Sequence, residues 1–435
     1  MRDNIAVRRE RAVLVGAVLK SELKNDDELA ELSALVESAG AVIVDRVQQK
    51  VIDIHPATYI GKGKAEMVKQ RVKKNKADVV IFDNDLSPGQ IRELESIIEI
   101  KVLDRSELIL DIFASRAQTK QAKLQVELAQ LEYTYPRLTR MWSHLDTVTG
   151  AAGSPGAGAV GAIGTRGPGE KQLEIDRRLV TKRITELKRE LKEIDKRIIR
   201  EIDARQGQFK ICLVGYTNAG KSTLMNALTD AGVYVEDRLF ATLDTRTRQW
   251  TLDGAKKALI SDTVGFVRNL PHQLVASFKA TLEEAINADL LLHVVDVSNE
   301  DVEHQALNAK KVLEEIGCAE KPMLTLLNKA DIVRSQSHFE LIQTIYPEAI
   351  SISAKSGLNL DLLKRKVLEF YEGGITHLKI TAHAGDGKIQ NFLKSFANII
   401  NQEYVDSKVI MDVNIGKNQV SQLYRFNPME ITEVK

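Results

Sequence analysis

Gly215-Tyr216-Thr217-Asn218-Ala219-Gly220-Lys221-Ser222 follows a short apolar run, Phe209 to Val214, and leads into the helix-forming segment Thr223 to Leu228. Glycines at this spacing let successive backbone N–H groups surround a phosphate chain, while a lysine reaches the terminal phosphates and a serine hydroxyl faces Mg²⁺. The positive end of the following helix favours the same anion. A surface Gly-Lys turn would carry neither flank, so the eight residues predict binding of a nucleoside triphosphate.

The base is legible as well. Asn328-Lys329-Ala330-Asp331 follows the apolar run Met323 to Leu327. A carboxylate at Asp331 can accept from the N1–H and the exocyclic amine of guanine, a donor pair that adenine lacks. Asn328 either ties this loop to the phosphate loop or meets the base edge. Ser353-Ala354-Lys355 closes another apolar stretch, where the Ala354 N–H is expected to donate to the guanine O6. Two such segments in order, each at a strand end, favour GTP over ATP.

Between them lies Asp262-Thr263-Val264-Gly265-Phe266. An acid at the end of the next strand holds Mg²⁺, here through water, and the Gly265 N–H is placed to meet the γ-phosphate. Phe240-Ala241-Thr242-Leu243-Asp244 occupies the position of a switch segment, with Thr242 as the expected third oxygen on Mg²⁺ beside Ser222 and Asp262; Thr245 and Thr247 compete for that role. Lys221, Thr242 and Gly265 are thus the expected catalytic set. Phe266 stands where a water-orienting glutamine is common, and a phenyl ring cannot hydrogen-bond water. The electrostatic frame survives, so slow intrinsic hydrolysis is expected.

These residues need a scaffold, and the chain of 435 residues is long enough for about three domains. Charged residues make up 28% of it but the formal net charge is +1, so affinity for nucleic acid must come from local patches. Two cysteines, Cys212 and Cys318, imply no disulfide framework and a reducing compartment. No apolar leader and no run of ~20 apolar residues is found, which predicts a soluble cytoplasmic protein.

The fold class is α/β. Strand candidates Ala12 to Leu19, Ala41 to Val47, Asp78 to Phe82 and Ile100 to Leu103 alternate with helices Asp26 to Ser38, Lys62 to Asn75 and Ser87 to Ile98, forming a small α/β layer over residues 1–105. Within it Tyr59-Ile60-Gly61-Lys62-Gly63-Lys64 is either an anion-binding turn or simply a turn needing its glycines. Residues 106–206 carry two long helical patterns, Ser106 to Glu132 and Glu170 to Arg205, expected to pair as a hairpin. Its tip, 133–169, is glycine-rich, with Arg137, Arg140, Trp142, His144 and Arg166 suited to folded RNA. A P-loop GTPase domain with a mostly parallel sheet spans 207–373. A small α+β domain follows over 374–435: strand Ile375 to His383, helix Gly387 to Gln402, strand Val405 to Ile415.

The chain resembles the HflX family of translational GTPases over nearly its whole length. The carriers are the phosphate loop, Phe240 to Asp244, Asp262 to Phe266 and Asn328 to Asp331. More specific still are Ala122-Lys-Leu-Gln-Val-Glu-Leu-Ala-Gln-Leu131, Tyr135-Pro-Arg-Leu138 and Gly164-Thr-Arg-Gly-Pro-Gly-Glu170. Thr245 departs from the pattern, which has proline there. The resemblance implies a GTPase that binds the large ribosomal subunit and its ribosomal RNA; a monomer is the expectation for the chain itself. It places the hairpin tip toward the peptidyl-transferase region, and makes the GTP form active in separating stalled or idle ribosomes. It also implies a hydrophobic residue at Phe266 and weak ATP binding by the N-terminal domain. The alternative is a GTP-dependent adaptor for a membrane protease, with peripheral membrane association, or for an RNA-modification enzyme.

Overall fold

The computed structural model describes residues 9–19, 29–141, 168–204, 208–229, 240, 245–254, 256–268, 279–299, 301–333 and 335–434. They form two compact units, the first built in the main from residues up to Ile202 and including Phe240, the second from Asp203 onward.

The first unit opens with four strands, β1 (Arg11–Leu19), β2 (Val42–Val51), β3 (Val79–Phe82) and β4 (Lys101–Asp104). They form one sheet, all parallel, in the order β2-β1-β3-β4. Helix α1 is described over Ala30–Ser38. Val13, Val15, Val80, Phe82 and Val102 form one apolar face, covered by Val68 and Val72 of α2 (Lys62–Asn75) and Leu94 and Ile98 of α3 (Pro88–Ile98). Helix α3 begins where Ser-Pro predicts: Ser87 and Gln90 form a reciprocal capping box.

The expected single helix from Ser106 is two. α4 (Arg105–Arg116) ends at Ala117, which turns extended, and Thr119 Oγ1 then caps α5 (Lys120–Met141) by accepting from Ala122 N at 3.1 Å. α5 also runs past Glu132, where the tip loop was expected to begin, with Pro136 inside it. Side chains beside the proline explain its persistence. Tyr133 donates its hydroxyl to Asp104 Oδ1 at 2.5 Å, and Arg137 donates to Asp104 Oδ2 at 3.0 Å while its guanidinium lies 3.3 Å from the centre of the Tyr133 ring. Arg137 is therefore held by this network and is not an open RNA contact, a correction to the sequence expectation. Asp104 is buried, and desolvation holds its carboxyl above the usual range despite the bonds from Tyr133, Glu107 N, Arg137 and Leu86 N.

The partner helix α6 spans Pro168–Ala204. Leu124 and Leu128 meet Leu187 and Leu191, and the pairs Arg183–Glu127 and Lys120–Glu190 run in opposite senses, so the hairpin is antiparallel. Residues 142–167, with Trp142, His144 and Arg166, and the Arg140 side chain lie outside the described residues.

In the second unit β5 (Phe209–Gly215), β7 (Lys256–Asp262), β8 (Leu290–Asp296), β9 (Met323–Asn328) and β10 (Ile350–Ser351) are parallel, and β6 (Arg246–Asp253) is an antiparallel edge. The six make one sheet in the order β10-β9-β8-β5-β7-β6. Its two faces bury different sets, Ile211, Leu213 and Leu292 on one and Cys212, Val214 and Leu291 on the other. Both cysteines are free and buried.

The tail is a β-α-β-β-α-β unit built on β11 (Ile375–His383), β12 (Ala397–Val405), β13 (Lys408–Gly416) and β14 (Glu430–Glu433). Its sheet is antiparallel, in the order β12-β13-β11-β14. The helix from Gly387 stops at Phe396, and β12 follows where continuing helix was expected. Pairing with β13 wins because Asn398, Ile399, Ile400 and Asn401 are weak helix formers. Among the described residues no helix is long and apolar enough to cross a membrane.

Removing one bond from the buried carboxylate sets a measurable scale. Tyr133→Phe should lower the local stability of this layer by about 1–3 kcal/mol. Arg137→Met, which leaves Asp104 without its counter-charge, should cost about 3–5 kcal/mol. Hydrogen exchange at the β4 amides reads both, and equal, negligible effects would show that Arg137 does not hold the Asp104 carboxylate in place.

Candidate functional site

Every motif of the second unit sits at the carboxyl edge of its parallel sheet. The phosphate loop leaves β5, Asp262 ends β7, Asp296 ends β8, Asn328 ends β9 and Ser353 follows β10. This is where open α/β sheets bind ligands, beside the strand from which connections depart in both directions.

The loop itself wraps a charge. Lys221, the first residue of α7 (Lys221–Thr229), is 6% exposed, and its Nζ donates to the carbonyls of Gly215 at 3.1 Å and Tyr216 at 2.8 Å. An ammonium has three donors, so one remains for a phosphate. Asn218 takes the left-handed conformation (φ 60°) that asparagine tolerates, carrying the loop back toward the helix. Burial pushes the Lys221 ammonium down to about 8, opposed mainly by Asp262. Behind it His293, 3% exposed on β8, is driven down to about 4 by burial and by Lys221, and is neutral at pH 7.

Ser222 Oγ donates to Asp262 Oδ2 at 2.5 Å, and Asp262 is fully buried. Two hard oxygens beside the phosphate loop fit Mg²⁺, which binds through one or two protein ligands and completes its shell with water and phosphate. Thr242, with Ala241, Leu243 and Asp244, lies outside the described residues. Phe240 is described. It belongs to the first unit, 2% exposed and edge-on to Phe113 with ring centres 4.5 Å apart.

Asn328 resolves its two alternatives toward the tie. Its Nδ2 donates to Ala219 O at 2.8 Å and its Oδ1 accepts from Ala354 N at 2.9 Å, so one side chain locks the phosphate loop to both base loops. Gly220 is obligatory at this point: a Cβ would stand 2.3 Å from Asn328 Nδ2, at a φ of +94°. The Ala354 N–H is thus spent on Asn328, where it was expected to face a base. Ala330 N donates to Ile352 O, joining the two base loops a second time, and Ser353 Oγ accepts from Ser356 N. Asp331 sits exposed on the short helix Ala330–Ile332, open to a guanine edge, and Lys355 of the Ser353-Ala354-Lys355 segment is exposed as well. Lys329, in left-handed conformation, pairs its Nζ with Asp296 Oδ2 at 2.7 Å. Asp296 was missed in the sequence. Its signal is an acid closing the apolar run Leu290 to Val295 at the same edge.

Thr263 Oγ1 donates to Leu213 O, and Val264 and Gly265 follow as buried backbone. Phe266 then pairs with the phosphate loop: its N–H donates to Gly215 O at 3.1 Å and its carbonyl accepts from Thr217 N at 2.8 Å. Its ring is 3% exposed, within the core formed by Cys212, Val214 and Tyr216. At the turn Gly61 to Lys64, Gly61 is needed for its φ of +79°, and among the described residues no atom lies within 4 Å of a Cβ placed on it or on Gly63.

Comparison with known proteins agrees with this geometry. Family models described as GTP-binding GTPase N-terminal, GTP-binding GTPase Middle Region and 50S ribosome-binding GTPase match residues 26–114, 116–205 and 210–329. The chain is 42% identical over 417 residues to a GTPase HflX of Lacrimispora saccharolytica, covering 95% of each. It is 40% identical to GTPase HflX of Escherichia coli, covering 88% of each. A GTP-binding protein of Sulfolobus solfataricus, solved with GDP, aligns over 83% of this chain and 98% of its own at 26% identity and a TM-score of 0.43.

Two measurements probe the site. Lys221 must be protonated to hold phosphate, so raising pH from 7 to 9, through its value near 8, should weaken GTP about tenfold in a fluorescent-nucleotide titration. Affinity that is flat over this range would contradict the buried ammonium. Asp331→Asn should shift preference from GTP toward xanthosine triphosphate by at least about tenfold, because the pair of carboxylate oxygens that accepts from the guanine N1–H and exocyclic amine is lost.

Proposed function

The chain belongs to the HflX family of GTPases, and from that premise we propose that it is a GTP-operated factor that binds the large ribosomal subunit and, in its GTP form, splits or rescues stalled ribosomes. The observation that carries the kinetic half of this reading is Phe266. Its ring is buried in the core and both its backbone groups are engaged by the phosphate loop, so the residue after Asp-x-x-Gly orients no water. What remains for catalysis is Lys221, the Gly265 backbone and a Mg²⁺ that Ser222, Thr242 and, through water, Asp262 would hold. When bound, Mg²⁺ supplies positive charge against the β- and γ-phosphates. Hydrolysis is then slow until a partner orders the switch residues, and GTP persists long enough to report a state.

The ribosomal half is supported by the family descriptions above and by the form of the hairpin. α5 and α6 are long, mixed in charge and joined by an apolar seam, which makes a semi-rigid arm for the glycine-rich segment that joins them. A glycine-rich sequence carrying arginines and aromatics suits folded RNA. The cytosol is the matching place of work.

Purified large subunits should raise GTP turnover of the intact protein by at least about tenfold, since partner-supplied order in GTPases is worth more than that. A non-hydrolysable GTP analogue should increase co-sedimentation with large subunits, and deleting residues 150–169 should abolish that increase while leaving nucleotide affinity unchanged. Subunit-independent turnover together with nucleotide-independent sedimentation would sink the proposal in favour of an adaptor acting on another protein.

A further inference from the structure

If Phe266 orients no water, another group has to, and the phosphate loop contains a buried side-chain oxygen without employment. Thr217 is 7% exposed, and its Oγ1 is buried with no hydrogen-bond partner among the described residues. Such a hydroxyl is unusual in a folded protein, since leaving it unsatisfied costs on the order of 1–3 kcal/mol. The backbone does not explain it: Thr217 N already donates to Phe266 O at 2.8 Å. Nor does the turn require threonine, since its hydroxyl caps nothing.

The surroundings of the side chain give it a task. A Cβ placed on Gly265 would lie 2.7 Å from Thr217 Cα, 2.8 Å from Thr217 Cγ2 and 2.9 Å from Lys221 Nζ. Thr217, the Gly265 backbone and the Lys221 ammonium therefore converge on one small volume. Lys221 and Gly265 are the groups that a γ-phosphate meets in this class of site. The Thr217 hydroxyl shares its Cβ with the methyl that lies there, and with one donor and two acceptor positions it can, on rotation about the Cα–Cβ bond, donate to a γ-phosphate oxygen and accept from a water beside it. Valine at this position would fill the space equally and do neither.

We propose that Thr217 is a catalytic residue of GTP hydrolysis whose hydroxyl bridges the γ-phosphate and the attacking water, the role that Phe266 cannot take. In the step it serves, the water oxygen bonds to the γ-phosphorus as the bond to the β–γ bridging oxygen breaks. GDP leaves, the water proton passes to the phosphate oxygens to give inorganic phosphate, and the threonine is unchanged. The same hydroxyl contributes to GTP binding and not to GDP binding, because its contact is with the γ-phosphate.

The test compares the full-length protein with Thr217→Val and Thr217→Ser in single-turnover hydrolysis, with GDP and GTP affinities measured in parallel. Thr217→Val should slow hydrolysis by about 10–100-fold, as loss of one positioned donor does. It should weaken GTP more than GDP and leave GDP affinity within about threefold, a value that also reports an intact fold. Thr217→Ser should restore hydrolysis to within about threefold of the parent. The proposal is overturned if Thr217→Val hydrolyses GTP at the parental rate, if GDP affinity falls as far as GTP affinity, or if serine rescues no better than valine.

Discussion

Lys221 Nζ, almost fully buried, donates to the carbonyls of Gly215 and Tyr216, and much of the second unit exists to make that position tolerable for a charge. An isolated buried ammonium would shed its proton, and burial has already carried this one down to about 8. Three features keep it charged and placed. The two carbonyls solvate it, Asp262 lies near enough to oppose the desolvation, and the wrapped loop between Gly215 and Lys221 holds the carbonyls where they are needed. That wrap is held from the far side by Asn328, which bonds Ala219 O and Ala354 N together. The phosphate loop and the base loops are therefore one mechanical piece, fastened by a single amide.

A second consequence concerns the segment after Asp262. Because the Phe266 backbone extends the pairing of β7 alongside the phosphate loop, Gly265 is pressed against Thr217 and Lys221 with no room for a side chain. Burial of the Phe266 ring makes this arrangement stable in its own right, since the ring contributes to the core of the sheet.

The first unit also has a parallel sheet but uses its carboxyl edge differently. That edge carries acids, as a ligand site would, yet they are consumed internally. Arg105, 1% exposed, donates to Asp83 at 2.6 Å and pairs with Glu31 at 2.8 Å. Ser106 bonds Asp85, Asn84 bonds both backbone groups of Ala17, and Asp104 binds Tyr133 and Arg137. An edge filled in this way anchors α4 and α5 to the sheet. These buried polar groups tie the base of the hairpin to the sheet through hydrogen bonds and ion pairs with one another.

The sequence by itself determined the chemistry and the order of the elements. Gly-x₄-Gly-Lys-Ser after an apolar run, Asp-x-x-Gly and Asn-Lys-x-Asp are local in the chain, and each binds through its own backbone turn, so spacing sufficed to find them. Helix α2 and the cap at Ser87 were legible for the same reason. What only the tertiary structure decided are the matters that depend on residues far apart. Asn328 reaches across 109 positions to Ala219, Arg137 is bonded to Asp104 33 positions away, and Phe240 packs edge-on against Phe113. Pro136 stays inside a helix, and Asn398 to Asn401 leave one, because side-chain anchoring and strand pairing outweigh local propensities of about 1–3 kcal/mol. The vacant hydroxyl of Thr217 belongs to the same class: no sequence reveals which of eight loop residues is buried without a partner, since that depends on where Gly265 comes to rest.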